Sequence, residues 1–331
     1  SVILQYGMLT GSSVSAMRAV CMFVLAVGAR ILGRSYDFLT ALAVSAILLL
    51  LDTPAYLYSS SFLLSFGAVT GLGIVAPALN RLVGSERAWV KTLLSSFAVQ
   101  LTTLPVLLRM YGEVSVLGIV LNLAVLPTVS VVLICGLCCV AVGFMSISAA
   151  GICLIPGKIL LMLYEKLCVL AGAVPFCTWI GGKPEVWQSV GYYLVLAAVV
   201  WIYRAGVMKS ENGKIFAWKI RAVYAGMVCF AILLISYRPH ENFRIACLDV
   251  GQGDGIVVEI ENRWNILIDG GSTNKNELGK YQLLPYLKSR GISRLDGIYV
   301  SHTDEDHISG VRELLEFVEK DLTSLRIENL I

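Results

Sequence analysis

Charged side chains are scarce in this chain. Asp, Glu, Lys and Arg supply 15% of its 331 residues, against about a quarter in an ordinary soluble domain, while apolar residues reach 57%. That balance excludes a single soluble globular domain. The net charge of +3 is too small to argue for a nucleic-acid partner by itself. No stripe of Lys and Arg of the kind a duplex binder carries is present either. A disulfide framework is also missing. Of nine cysteines, Cys21, Cys135, Cys138, Cys139 and Cys229 lie inside apolar runs. Cys135 and Cys138 have CxxC spacing, but in an apolar run they read as packing rather than redox or metal chemistry. Cys153 and Cys177 flank a less apolar stretch; a disulfide there, conditional on that stretch lying outside the cell, is the weaker reading. The chain opens in mid-pattern at Ser1 and stops at Ile331, the expectation for a segment of a longer protein.

What the chain has in place of charge is apolar runs, up to about Tyr237. A spanning helix needs about 20 mostly apolar residues. About eight segments qualify: 14–32, 38–58, 62–79, 89–109, 114–126, 128–146, 189–207 and 219–237. The fifth and sixth meet at Pro127, and the fifth is short. Residues 155–174 have helical apolar spacing interrupted by Lys158, Glu165 and Lys166, which predicts an amphipathic helix lying on the bilayer surface. Arg204, Lys209, Lys214, Lys219 and Arg221 stand against one acid, Glu211, so the positive-inside bias puts the loop after the seventh segment in the cytoplasm. The regions of Arg30 and Arg34, and of Arg81, Arg87 and Lys91, follow by even counts of helices. The eighth segment then delivers everything from about His240 onward to the extracytoplasmic side. Arg18, Gln100, Thr102, Thr103, Arg109 and Asn122 are polar groups in or near the spans, accompanied by helix breakers such as Pro54, Pro105 and Gly71. They serve either as glue between helices or as a polar path for something anionic; Arg18, Gln100, Arg109 and Asn122 are the channel candidates.

At "SYRPHENF" the pattern changes, dividing a membrane domain (1–238) from a soluble region (241–331). "FRIACLDVGQGDGIVVEI" reads as strand, glycine-rich turn, strand. "RWNILIDGG" is a further strand, "LLPYLKSRGI" a helix stopped by Gly291, "LDGIYVSH" a buried strand and "ISGVRELLEFVEK" a helix. The order β-β-β-α-β-α predicts an α+β region behind a polytopic α-helical membrane domain. The last strand runs into His302, Asp304, Asp306 and His307, spaced H-x-D-x-D-H. Imidazole and carboxylate are zinc ligands, and carboxylates also suit Mn²⁺, so one or two divalent ions, Zn²⁺ or Mn²⁺, are expected. Such an ion generates a hydroxide near neutral pH. His302, Asp304 and His307 are expected to be ligands. Asp306 is expected either to hold a second metal or to activate water, the catalytic assignment. Asp269 either orients a ligand or forms a turn. Asp249 and Asp254, with Gln252, either shape the rim of the site or build the turn.

The stretch "LDVGQGDGIVVEI…NILIDGG…YVSHTDEDHISG" resembles the metallo-β-lactamase fold, an αββα arrangement, in the variant at the C-terminus of ComEC-type competence proteins. "LTGSSVSAMRA", "YLYSSSFLLSFGAVTGL" and "QLTTLPVLLRMYGEVSVLGIVLNLAVLPTVSVV" resemble the competence domain of the same family. The resemblance implies a multi-pass protein of the bacterial cytoplasmic membrane, in contact with lipid, that passes one strand of transforming DNA inward. It further implies an extracytoplasmic nuclease-like domain for the discarded strand. A competence DNA receptor, a cytoplasmic ATPase or helicase and a homodimer mate are the implied partners. Asp304 stands where the wider hydrolase pattern has a histidine, a harder oxygen ligand in place of an imidazole. The family's later ligands would follow Ile331, so the metal site and the hydrolase fold are expected to be incomplete here, as are the family's N-terminal soluble domain and first helices. Two other readings stand beside this one: a membrane-anchored metallo-hydrolase with a substrate other than DNA, and a channel whose hydrolase region is a structural relic.

Overall fold

The computed structural model describes residues 13–172, 174, 177–204, 213–239, 242–261 and 263–331. Lys209, Glu211, the domain boundary at His240 and the opening of the first membrane motif lie outside them. The chain forms two compact units, residues 1–110 with 186–235, and residues 111–185 with 236–331.

The first unit is helical. It holds α1 (Val14–Ile31), α2 (Phe38–Asp52), α3 (Ser60–Val83), α4 (Ala88–Tyr111), α7 (Val186–Arg204) and α8 (Gly213–Ser236). Ser13 and Asp37 cap α1 and α2 by accepting from Ala16 N and Thr40 N. A π turn at Gly71–Val75 interrupts α3. It falls where α3 meets α4: a Cβ on Gly71 would stand 2.5 Å from Thr102 Oγ1 and 2.9 Å from the Ala98 carbonyl. Close backbone approach of this kind is how helices associate in lipid, where apolar burial gives no advantage. Pro105 lies inside α4 and has no N–H for the Leu101 carbonyl four residues back. The Tyr192 hydroxyl of α7 donates to that carbonyl at 2.7 Å, and Tyr193 donates to the Thr102 carbonyl at 3.0 Å. The proline thus creates the acceptor that joins α4 to α7.

The second unit begins with a helical hairpin, α5 (Gly118–Gly143) and α6 (Ile147–Gly172). The segments expected separately at 114–126 and 128–146 are one helix. Pro127 sits inside it, and Thr128 returns its hydroxyl to the Ala124 carbonyl at 2.6 Å, a local repair that lets membrane helices carry proline. Of the segment expected to lie flat, 155–174, residues 155–172 belong to a 26-residue helix long and apolar enough to cross a membrane. Its three charges are too few to make a polar face, and it is partnered by α5: Tyr164 and Thr128 hydroxyls meet at 2.6 Å. In all, five described helices have spanning length and composition, and three shorter apolar ones accompany them. Cys153 and Cys177 are free thiols.

Short strands β1 (Glu113–Ser115) and β2 (Thr178–Ile180) flank this hairpin and pair antiparallel. The C-terminal region packs on them. Lys288 pairs with Glu113 at 2.6 Å, Lys183 N donates to the Ser289 carbonyl at 2.7 Å, and Arg238 donates to the Gly181 carbonyl. Gly112 has φ +70°, and a Cβ there would lie 2.5 Å from the Lys288 carbonyl oxygen, so only glycine fits.

The region itself is a four-stranded sheet in the order β3 (Phe243–Cys247), β4 (Ile256–Ile260), β5 (Trp264–Ile268), β7 (Gly297–Tyr299). The first three strands are antiparallel, and β7 joins β5 in parallel. The crossover that parallel pairing requires is a π turn, Gly279–Leu283, continuing into α9 (Leu284–Arg290), which Gly291 ends at φ +78°. A parallel pair, β6 (Arg294–Leu295) with β8 (Arg326–Ile327), completes the strands. Helix α10 (Glu305–Glu319) covers the sheet through Val311 and Leu314, in a core with Leu267, Leu283 and Ile298. The helix starts earlier than the apolar pattern suggests, inside the acidic stretch. Glu305 and Asp306 in its first turn suit the positive end of the helix dipole.

Candidate metal centre

The cluster is built where β7 ends and α10 begins. Asp269, at the end of the neighbouring strand β5, organises it. Asp269 adopts φ +55°, a left-handed conformation that Asp tolerates better than most residues. It is 5% exposed, and both of its oxygens are used. Oδ1 accepts from Ser301 N at 2.8 Å; Oδ2 accepts from the Ser301 hydroxyl at 2.8 Å and faces His307 Nδ1 at 3.0 Å. Burial works against its charge, but the hydrogen bonds from Ser301 and His307 outweigh burial and hold its carboxyl below the usual range. The hydrogen bond to Asp269 raises the pKa of His307 above the usual imidazole value.

An ionised carboxylate only accepts. The proton between Asp269 and His307 therefore sits on Nδ1, which in the neutral ring leaves Nε2 of His307 with a free lone pair. The single hydroxyl proton of Ser301 is committed to Asp269, so Ser301 Oγ accepts from His302 Nδ1 at 3.0 Å. His302 then also presents Nε2 as a lone pair. One buried carboxylate fixes both tautomers, the arrangement that orients metal-binding histidines. The two rings lie against each other with centroids 3.7 Å apart.

In the neutral rings each Nε2 faces a carboxylate that also has only lone pairs to offer. His307 Nε2 is 3.6 Å from Asp306 Oδ2, and His302 Nε2 is 3.5 Å from Asp304 Oδ2. Acceptors facing acceptors fit a cation between them, so the residues present suit a divalent ion. Among the described residues, one ligand atom each from His302, Asp306 and His307 lies within 4.8 Å of the others. Asp304 is outside that trio. It is the N-cap residue of α10, its carbonyl accepts from His307 N and Ile308 N, and its side chain is 77% exposed.

Glycines bring two other loops against this one. Asp254 N donates to the Asp306 carbonyl at 3.1 Å, Gly270 N to the His307 carbonyl at 2.9 Å and Gly271 N to the Asp254 carbonyl at 3.2 Å. Cβ atoms on Gly253 or Gly271 would run into the Asp306 backbone. The Asp254 carboxylate comes to 3.9 Å from His307 Nδ1. Asp249 does not join the cluster: it is 94% exposed and pairs with Lys275 at 3.1 Å. Gln252 is held in the turn by Asn274, whose Oδ1 accepts from Gln252 N. Ser301, whose central place the sequence reading missed, is signalled only by standing between an apolar strand and a histidine.

The intramembrane candidates are dispersed. Arg18 donates to the Ser65 carbonyl at 2.7 Å and lies 5.9 Å from the Phe66 ring centre. Gln100 is half-buried on α4, and Arg109 is exposed in the last turn of that helix. Asn122 is half-buried on α5, in the other unit.

A family model described as competence protein matches residues 1–205, and one described as metallo-beta-lactamase superfamily matches residues 248–318. ComE operon protein 3 of Bacillus subtilis is 26% identical over 341 residues, covering 94% of this chain and 40% of the relative. Recombination protein 2 of Haemophilus influenzae is 26% identical over 353 residues, covering 95% and 42%. Competence protein ComA of Neisseria gonorrhoeae is 26% identical over 328 residues, covering 93% and 40%. The chain thus spans about two fifths of the length of these curated relatives. No solved structure matches it.

Proposed function

Because the chain belongs to the competence protein family, we propose that it serves DNA uptake: its helices form the conduit for one strand across the bacterial cytoplasmic membrane, and its C-terminal region is part of an extracytoplasmic, metal-dependent nuclease for the other. The observation that carries the nuclease half is the compact trio of His302, Asp306 and His307, with a ligand atom of each within 4.8 Å of the others and Asp269 held against His307 Nδ1.

His302, Asp306 and His307 would hold the ion, and Asp304 would close the coordination from its exposed position. A bound divalent ion supplies Lewis acidity toward water and a phosphodiester oxygen. Asp269 and Ser301 keep the imidazole protons on Nδ1, away from the ion. Asp306, 39% exposed, would take the proton of the attacking water on the carboxylate oxygen it does not give to the ion, and Asp254 would orient that water from the opposite loop.

The sidedness has support from contacts within the second unit. Residues 112–115, 178–183 and 236–291 touch one another, so they share one side of the membrane. With all eight apolar helices taken as crossings, the three shorter ones included, they follow the fourth, sixth and eighth, all even counts. The loop rich in Lys and Arg follows the seventh, on the opposite side, which the positive-inside rule makes the cytoplasm.

The test is a gene replacement in the source cell carrying His302→Ala with Asp306→Asn in the full-length protein. Labelled donor DNA should still enter as one strand while release of degraded complement outside falls to background. Undiminished degradation would end the nuclease reading. Entry of DNA after deletion of the gene would end the conduit reading and favour a membrane-anchored hydrolase with another substrate.

A further inference from the structure

The first unit contains a groove of about 820 Å³ between α3, α4 and α7. We propose that it is a binding site for an anionic phospholipid, with an acyl chain along the groove and the phosphate on Arg109. This rests on the reading of these helices as membrane spans, and it is independent of what the protein transports.

Its lining explains the choice of occupant. Along α7 it runs from Val186 to Trp201, about 22 Å of helix at about 1.5 Å per residue. That takes an acyl chain, which spans about half of a hydrocarbon layer about 30 Å thick. The lining is apolar, and its hydroxyls are already committed. Thr70 donates to the Phe66 carbonyl at 2.8 Å, Thr102 to the Val99 carbonyl at 2.9 Å and Tyr193 to the Thr102 carbonyl at 3.0 Å. Ser189 also has a partner. Arg109 is the only charged lining residue among those described. It lies in the last turn of α4, at the end of the groove where α3 and α7 begin. A guanidinium beside an apolar trough complements a molecule with one phosphate and a long apolar body. A nucleic-acid strand, with a phosphate on every nucleotide and polar base edges, would find one cation and no uncommitted hydroxyl.

The experiment uses the full-length protein in nanodiscs doped with phosphatidylglycerol that carries a photoreactive acyl chain. Crosslinked peptides should come from 62–75 and 186–201. Unlabelled phosphatidylglycerol should compete several-fold better than phosphatidylcholine, whose choline cation offsets the phosphate charge that Arg109 meets. Arg109→Gln should remove that preference while crosslinking persists. Ala197→Phe, which fills the groove from an exposed position, should suppress crosslinking there but not elsewhere on the helices; Val190→Trp provides a second filling variant should the first not fold. Crosslinking that ignores both filling variants would overturn the proposal. So would labelling of the same peptides by a photoreactive single-stranded oligonucleotide, which would assign the groove to nucleic acid. Absence of lipid crosslinks on every helix would instead refute the membrane-span reading itself.

Discussion

Asp269 and Ser301 control the cluster without belonging to the expected ligand set. Asp269→Asn replaces an acceptor-only group by an amide that also donates, so His307 loses its fixed tautomer. Divalent-metal affinity of the full-length protein should fall by about 10- to 100-fold, the cost of losing a partner that orients a ligand, as read by competition with a chromophoric chelator. Ser301→Ala should weaken binding in the same direction through His302. Among the carboxylates, Asp306→Ala should lower metal content more than Asp304→Ala, because only Asp306 joins the compact trio; elemental analysis of the purified variants decides the order. The spacing H-x-D-x-D-H in the sequence suffices to find the cluster. It does not reveal that one carboxylate, 32 residues before Ser301, sets the protons of both imidazoles. That depends on β5 and β7 lying side by side.

At the scale of elements, proline and glycine act through their neighbours. Tyr192→Phe leaves the Leu101 carbonyl without a donor in a buried place, at a cost of about 1–3 kcal/mol. In a Pro105→Ala background the restored N–H can take that carbonyl, so the same substitution should cost much less. A double-mutant cycle on reconstituted protein, followed by steric trapping or hydrogen exchange, measures the difference. Gly253→Ala introduces a side chain at φ +156° and against the Asp306 backbone. Strain of this kind costs about 1–3 kcal/mol, and faster hydrogen exchange at the start of α10 should report it. The strand and helix order of the C-terminal region was readable from period-two runs and from Gly291 as a stop signal. The extent of α5 was not. Pro127 predicts a break, and only the Thr128 hydroxyl on the Ala124 carbonyl accounts for continuity. Nor was α6 as a spanning-length helix, since its charges suggest a surface until α5 is seen to partner it.

For the molecule as a whole, Glu113 and Lys288 join segments 175 residues apart in one half-buried ion pair. Glu113→Lys or Lys288→Glu should loosen the C-terminal region from the β1–β2 hairpin, and the double exchange should restore it, as judged by limited proteolysis. Cysteines introduced singly at the exposed positions 115 and 293 of a cysteine-free protein should react with an impermeant thiol reagent from the same side of intact cells. Reaction from opposite sides would exclude the contact. Composition and apolar run length determined that the protein has a helical membrane part and a smaller α+β part, because removing about 20 apolar residues from water at a time leaves few alternatives to helices in lipid. The residue types and spacing of the cluster likewise determined that its chemistry suits a divalent ion. The tertiary structure alone decided which side chains share a site, which protons they hold and where a groove opens between helices. Those properties arise from segments distant in sequence whose approach is set by backbone contact at Gly71, Gly112, Gly253 and Gly271, and no local pattern encodes the partner that each glycine admits.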